Sequence, residues 1–170
     1  MTDDALTVMQ LGQIRDAALA LGLALIDAAW ASAPAGEADP RTTAATHLAP
    51  RPEDFARLFT DDRAATIAAA YAAAFETPPF PMPKRGQTEV HVTTCPAALI
   101  GSDHPLAQAF PGGYRELAPH LRPGIVWAVL RFTVPGERLG MAYDGFAWLP
   151  DGAEAVPGRF VWVPKPWRLA

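Results

Sequence analysis

The chain has 170 residues, half of them apolar, and its 14 basic and 18 acidic residues give a net charge of −4 at pH 7. This length suits one domain over residues 1–170, and the apolar content excludes a disordered chain. The acidic balance without any Lys/Arg run excludes broad binding to nucleic acid or a membrane, and a single cysteine excludes an internal disulfide framework and favours the cytoplasm.

Residues 4–33 are predicted to form a helix, because apolar residues recur at three- and four-residue spacing from Leu11 to Leu25. The apolar run over residues 17–33 ends in a small-residue pattern that signal peptidases accept. Acidic residues at positions 3 and 4 stand where a signal peptide carries positive charge, and Asp27 interrupts the run. The run is also too short to span a bilayer, so we interpret it as part of a buried helix.

Short helices and connectors are expected next. Residues 34–50 are polar and bounded by prolines, which predicts a connection. A short helix should start at Pro52, since proline is tolerated in a first turn, and another should run from a cap near Thr60 to about Phe75. Four prolines within residues 77–86 predict an extended connector.

The second half of the chain is predicted to be mainly β-structure. Strands are expected over residues 88–94, 124–134, 141–149 and 159–164. Residues 96–122 look like a loop with short helical turns. Helices first and strands later predict an α+β fold, with N-terminal helices packed on a curved, mainly antiparallel sheet.

Both faces of this predicted sheet are apolar. Side chains alternate between the faces of a strand, and Trp127 shares its face with Arg131. In the last hairpin one face, here called the aromatic face, carries Phe146, Trp148, Phe160 and Trp162. A sheet covered by helices on one side should show a polar second face. We therefore expect the second face to be covered by a ligand cavity, by a partner subunit, or by residues 96–122 acting as a lid.

The order of elements, with the aromatic strands VWAVLRF and FVWVPKPW, resembles that of NTF2-like or SnoaL-like domains. The resemblance implies that N-terminal helices pack into the concave side of a curved antiparallel sheet and leave a pocket. That family often carries an acidic or histidine base in the pocket, and it also includes many non-catalytic members. No residue of this chain is matched to the position of that base.

Asp144 is a candidate general base. It shares strand alternation with Phe146 and Trp148, which would place its carboxylate on the aromatic face and raise its pKa. The alternative is a turn hydrogen bond before Gly145, because Asp-Gly sequences commonly form one.

The stretch FPGGYRELAPHLRPGIVW, residues 110–127, has the composition of a binding loop or a lid. Its glycine pair allows a tight turn that brings Phe110 and Tyr114 together. His120 lies near the entry to the strand that carries Arg131. An arginine in an apolar strand requires either an internal carboxylate or an anionic ligand.

His91, Cys95 and His104 are the candidate metal ligands, since imidazole and thiolate bind zinc. Residues four apart on a strand are about 13 Å apart, so one ion cannot join His91 and Cys95 unless the strand bends. We expect no metal, and we expect Cys95 to pack as a small apolar residue. No phosphate loop, serine elbow or CxxC motif occurs, so no cofactor is expected.

Two classes of function fit these patterns. The first is a module that binds a small molecule or a partner, which includes a homodimer. The second is a small cofactor-free hydro-lyase or isomerase, with Asp144 or His120 as base and Tyr114 or Tyr143 as acid. The candidate binding residues are Tyr114, His120, Trp127, Arg131, Tyr143, Asp144, Trp148 and Trp162. At the C-terminus, Trp167 is predicted to pack back onto the domain, against the N-terminal helix.

Overall fold

The computed structural model describes residues 6–170 and shows the predicted α+β architecture. The helices are α1 (Val8–Trp30), α2 (Pro40–Leu48), α3 (Pro52–Leu58), α4 (Asp61–Ala74) and α5 (Tyr114–Leu117). The strands are β1 (Glu89–Pro96), β2 (Val126–Thr133), β3 (Gly140–Pro150) and β4 (Gly158–Trp162). Within residues 6–170, no helix is long and apolar enough to cross a membrane.

A capping box starts α1. The Thr7 hydroxyl accepts a hydrogen bond from the Gln10 backbone N–H (3.1 Å), and the Gln10 side-chain carbonyl accepts one from the Thr7 N–H (2.8 Å). These bonds satisfy donors that the first helical turn leaves unpaired. The predicted start at residue 4 and the acidic residues at positions 3 and 4 lie outside the described residues. The helix ends at Trp30, three residues before the predicted end.

The predicted connection over residues 34–50 contains a helix, α2, that the sequence pattern does not predict. The Asp39 side chain caps it by accepting a hydrogen bond from the Arg41 N–H (2.9 Å), and Pro40 occupies the first turn. Both are ordinary start signals. The helix buries only Ala45 and Leu48, so it has too few apolar positions to show a helical period.

The four strands form one antiparallel sheet in the order β1-β2-β3-β4. The last hairpin pairs as predicted, with Phe146 opposite Trp162 and Trp148 opposite Phe160. The four rings therefore lie on the same face of the sheet, and the aromatic face is confirmed.

A bulge in β3 breaks the predicted alternation. Tyr143 and Phe146 are three residues apart, yet both pack in the core on the aromatic face, because Asp144 and Gly145 together occupy one position of the ladder. Gly145 has φ +90°, a conformation that glycine adopts without strain. The extra residue turns the Asp144 side chain to the opposite face. The prediction that Asp144 points to the aromatic face is therefore wrong.

The chain itself covers both faces of the sheet. Ile14 and Leu25 of α1 and Leu48 of α2 pack on the aromatic face. On the other face, α3, α4, α5 and residues 97–121 pack around Trp127. Of the three predicted covers, the lid is the one that the structure contains, and α3 and α4 share the covering with it.

Backbone hydrogen bonds fix this lid to the helices beside it. The Thr60 N–H donates to the His120 carbonyl (2.8 Å), and the Arg122 N–H donates to the Leu58 carbonyl (2.9 Å). Phe59 and Leu121 form an isolated β-bridge between them. The end of the lid is thus joined to the junction of α3 and α4 in the way that one strand joins another.

Candidate functional site

The eight residues predicted to line a pocket do not come together. Three belong to the aromatic face: Tyr143, Trp148 and Trp162. Three lie on the opposite side of the sheet: Tyr114, Trp127 and Asp144. Of the other two, His120 is half-buried at the margin and Arg131 is exposed. One pocket cannot use all eight residues, because the sheet separates the two groups.

The polar atoms on the aromatic side already have backbone partners. Trp148 Nε1 donates to the Ala155 carbonyl (2.7 Å), and Trp162 Nε1 donates to the Asp144 carbonyl (2.8 Å). The Tyr143 hydroxyl donates to the Met82 carbonyl (2.6 Å), which fixes the proline-rich connector to the sheet. Both tryptophan rings are buried beneath α1 and α2. The bonds satisfy the polar atoms that burial would otherwise leave unpaired.

Tyr114 and Asp144 form a buried phenol–carboxylate pair. Tyr114 Oη donates to Asp144 Oδ2 (3.0 Å), and the two residues are 1% and 9% exposed. Burial, with the adjacent Asp144 charge, raises the pKa of Tyr114 well above its ordinary value. Burial also raises the pKa of Asp144, and the hydrogen bond from Tyr114 partly opposes that shift. A phenol donating to a carboxylate is the geometry of an acid–base pair.

Trp167 closes one side of this pair. Its ring centroid lies 5.3 Å from that of Tyr114, and a Cβ on Gly113 would lie 2.1 Å from the ring. Trp167 therefore packs back onto the domain as predicted, but its contact is the glycine pair before α5 and not the N-terminal helix. Lys165 and Arg168 on either side of it are exposed.

A depression of about 230 Å³ borders the other side of the pair, and its lining includes Phe110, Gly112, Tyr114 and Arg115. Tyr114 is almost fully buried, so the depression reaches the residue but not much of its ring. Asp144 does not line it. The two side chains therefore share a hydrogen bond, but a molecule bound in the depression would not contact the Asp144 carboxylate.

His120 takes part in a different cluster. Its Nδ1 lies 3.4 Å from Asp62 Oδ2 and 3.5 Å from the Thr60 hydroxyl, both at the start of α4. The arrangement holds the lid to α4 and gives His120 a role in the fold. Tyr114 and Asp144 are not among its hydrogen-bonding or ionic partners in the described residues.

Arg131 does not have the buried surroundings that the sequence predicted. It is the exposed residue of an otherwise buried strand. Among residues 6–170, no carboxylate forms an ion pair with it. The guanidinium is solvated, so neither an internal acid nor an anionic ligand is required.

The candidate metal ligands are also separate. Cys95 is fully buried, and burial raises the pKa of its thiol to about 11. His91 Nε2 lies 3.1 Å from the Thr133 hydroxyl of the neighbouring strand. No group of three or more His, Cys, Asp or Glu side chains in the described part of the chain is placed to hold a metal ion.

A groove that the sequence patterns do not predict lies at the free side of β1. Its volume is about 370 Å³. We call it the edge groove. It is lined by Leu11, Gly12, Arg15, Val92, Thr93, Thr94, Pro96 and Leu106. Leu106 belongs to the lid and is 39% exposed. The outward-facing leucines Leu19 and Leu23 follow on later turns of α1, 42% and 47% exposed.

The helical spacing of α1 predicts part of the exposed apolar surface on this side of the molecule. Leu19 and Leu23 fall outside the buried stripe of Ile14, Ala18 and Leu25, and outward-facing leucines on a helix are informative only when they cluster. The groove itself depends on Leu106, which reaches Leu11 from a distant part of the chain.

No protein-family model, curated protein or solved structure matches this chain.

Proposed function

We propose that this chain is a non-catalytic binding module, and that its docking surface is the edge groove together with the exposed leucines of α1. The observation that carries the proposal is the position of the remaining apolar surface. Both faces of the sheet are filled by the chain's own helices and lid. Leu106 is exposed in the lining of the edge groove, and Leu19 and Leu23 are exposed on α1 at four-residue spacing from Arg15, which also lines it. Exposed apolar patches of this kind are typical of an interaction surface.

The buried acid–base pair supports this choice over catalysis. Tyr114 and Asp144 have the hydrogen bond that a catalytic pair needs, but the carboxylate does not line the adjoining depression. A substrate would have to displace Trp167 or the glycine pair to reach it. In the folded chain the pair stabilises the bulge and the lid.

A photo-cross-linking experiment tests the proposal. A photoreactive amino acid is placed at Leu106, and in a separate variant at Ala65, which is exposed on α4. We expect a covalent adduct with a partner protein from position 106 and none from position 65. A second substitution in the groove, Arg15→Glu, should reduce the adduct. Equal adduct yields at both positions, or a yield at position 106 that Arg15→Glu does not reduce, would contradict the proposal.

The second candidate function is a hydro-lyase or isomerase, and the 3.0 Å bond between Tyr114 and Asp144 is the observation in its favour. In that case Trp167 would act as a gate, and Trp167→Ala would increase access to the pair. An enzyme of this type should lose turnover in a folded Tyr114→Phe variant. A folded variant that keeps full turnover would exclude these two residues from the chemistry.

A further inference from the structure

We propose that the edge groove binds an extended peptide segment of a partner protein, which pairs with β1 as an additional strand. The inference rests on the proposed function and specifies its ligand. Recognition by strand addition requires a free strand edge and flanking walls that contact alternate side chains, and a charge in the groove helps to select the partner. The edge groove has all three features.

The first feature is the free edge. β1 is the outer strand of the sheet and pairs only with β2. In residues 6–170, no backbone hydrogen bond other than those of the β1–β2 ladder involves residues 89–95. Proteins usually protect such edges with short strands, lysines, prolines or bulges. The other edge strand, β4, has 5 residues, whereas β1 has 8, no lysine, and a proline only at its last position.

The second feature is the pair of walls. Leu11 and Gly12 come from α1, which packs on the aromatic face, and Leu106 comes from the lid on the opposite face. The two walls therefore stand on either side of the β1 edge, and the floor between them is formed by Val92, Thr93, Thr94 and Pro96. An added strand directs successive side chains to opposite faces. One set of its apolar side chains would contact α1, and the other set would contact Leu106.

The third feature is charge. Arg15 is the charged residue among those that line the groove, and no carboxylate in the described part of the chain forms an ion pair with it. We therefore expect an acidic side chain in the bound peptide opposite Arg15. A second copy of this chain docked groove to groove would bring another Arg15 and no carboxylate, so the charge favours a different protein as partner.

The test starts from a library of random-sequence peptides selected on the whole chain. We expect selected peptides to carry alternating apolar residues and an acidic residue. Arg15→Glu and Leu106→Glu should each weaken the dissociation constant of the best peptide by at least roughly tenfold. Both positions are exposed, so both variants should fold. Arg131→Glu, an exposed charge reversal outside the groove, is the matched control and should leave binding unchanged.

A scan of backbone N-methylation along the bound peptide tests strand pairing itself. Only alternate peptide N–H groups face β1, so methylation should abolish binding at every second residue and spare the residues between. Amide hydrogen exchange should also slow at the alternate residues within 92–95 whose N–H groups face the peptide.

Four results would overturn the inference. Binding that needs Arg15 and Leu106 but shows no alternation would exclude strand pairing and leave the proposed docking surface in place. Peptides insensitive to both substitutions, or a library without binders, would exclude the groove as a peptide site, and cross-linking would then decide the proposed function separately. Sedimentation of the chain alone as a dimer that Leu106→Glu dissociates would assign the groove to a second copy.

Discussion

The immediate neighbours of Asp144 determine how readily its carboxyl group ionises. Its carboxylate is buried in a largely apolar environment, where ionisation is unfavourable. The Tyr114 hydroxyl supplies a hydrogen bond to the charged form, and Lys165 adds a favourable charge nearby. The pKa of Asp144 is nevertheless raised, so burial outweighs these two effects.

Replacing Tyr114 with Phe should destabilise the fold by about 1–3 kcal/mol at neutral pH, because it leaves a buried carboxylate without its donor. The loss should shrink on acidification. A raised folded-state pKa means that the folded chain holds this proton more tightly than the unfolded chain, and the variant's pKa should be higher still. Below the pKa values of Asp144 in the folded and the unfolded chain, its carboxyl group is neutral in both, so no buried charge is left without its donor.

Thermal unfolding of both proteins at about pH 7 and about pH 4 measures this difference. The wild type serves as its own reference at each pH, since the other carboxyl groups titrate alike in the two proteins. A difference that is the same at both pH values would mean that packing, not the charge of Asp144, causes the loss.

At the level of elements, the β3 bulge decides which side chains meet. Without it, strict alternation would carry Asp144 to the aromatic face, away from Tyr114. Gly145 makes the bulge possible, because its φ of +90° is unfavourable for residues with a Cβ. A Cβ there would also lie 2.0 Å from the Val163 carbonyl oxygen.

Gly145→Ala should therefore cost at least about 2 kcal/mol of stability. Gly152→Ala provides the matched control. Gly152 lies in the loop between β3 and β4, and no atom is within 4 Å of its added Cβ, so we expect a change within about 0.5 kcal/mol. Chemical denaturation of the two variants compares them directly. Similar effects from both would show that the bulge can form without glycine.

At the level of the whole molecule, one sheet joins two cores. Seven of the eight residues of β2 are buried, and they contribute alternately to the core under α1 and to the core under the lid. If the sheet unfolds on one side, the residues that it buries on the other side are exposed as well. This shared strand predicts a single cooperative unfolding transition, although the cores have no helix in common.

Ile14→Ala tests that coupling. Ile14 is fully buried in the α1 core, and its truncation should cost about 2–5 kcal/mol. We expect circular dichroism and tryptophan fluorescence to report the same lowered midpoint, because the Trp127 side should unfold with the α1 side. Leu19→Ala, on the exposed side of α1, should have a small effect. Two separate transitions in Ile14→Ala would show that the cores unfold independently.

The sequence by itself determined the α+β class, the positions of the strands, the aromatic face and the return of Trp167 to the domain. These follow from alternation, helical period and proline placement, which act over a few residues. Cys95 is buried as expected for a small apolar residue, for the same local reason.

Tertiary structure decided which side chains share a site. A one-residue bulge moved Asp144 across the sheet, and Arg131 lies in solvent although the other residues of β2 are buried. The edge groove exists because Leu106 of the lid comes to lie beside Leu11 of α1, nearly a hundred positions earlier in the chain. Local sequence patterns do not predict a contact between residues so far apart in the chain, because it depends on how the whole domain packs.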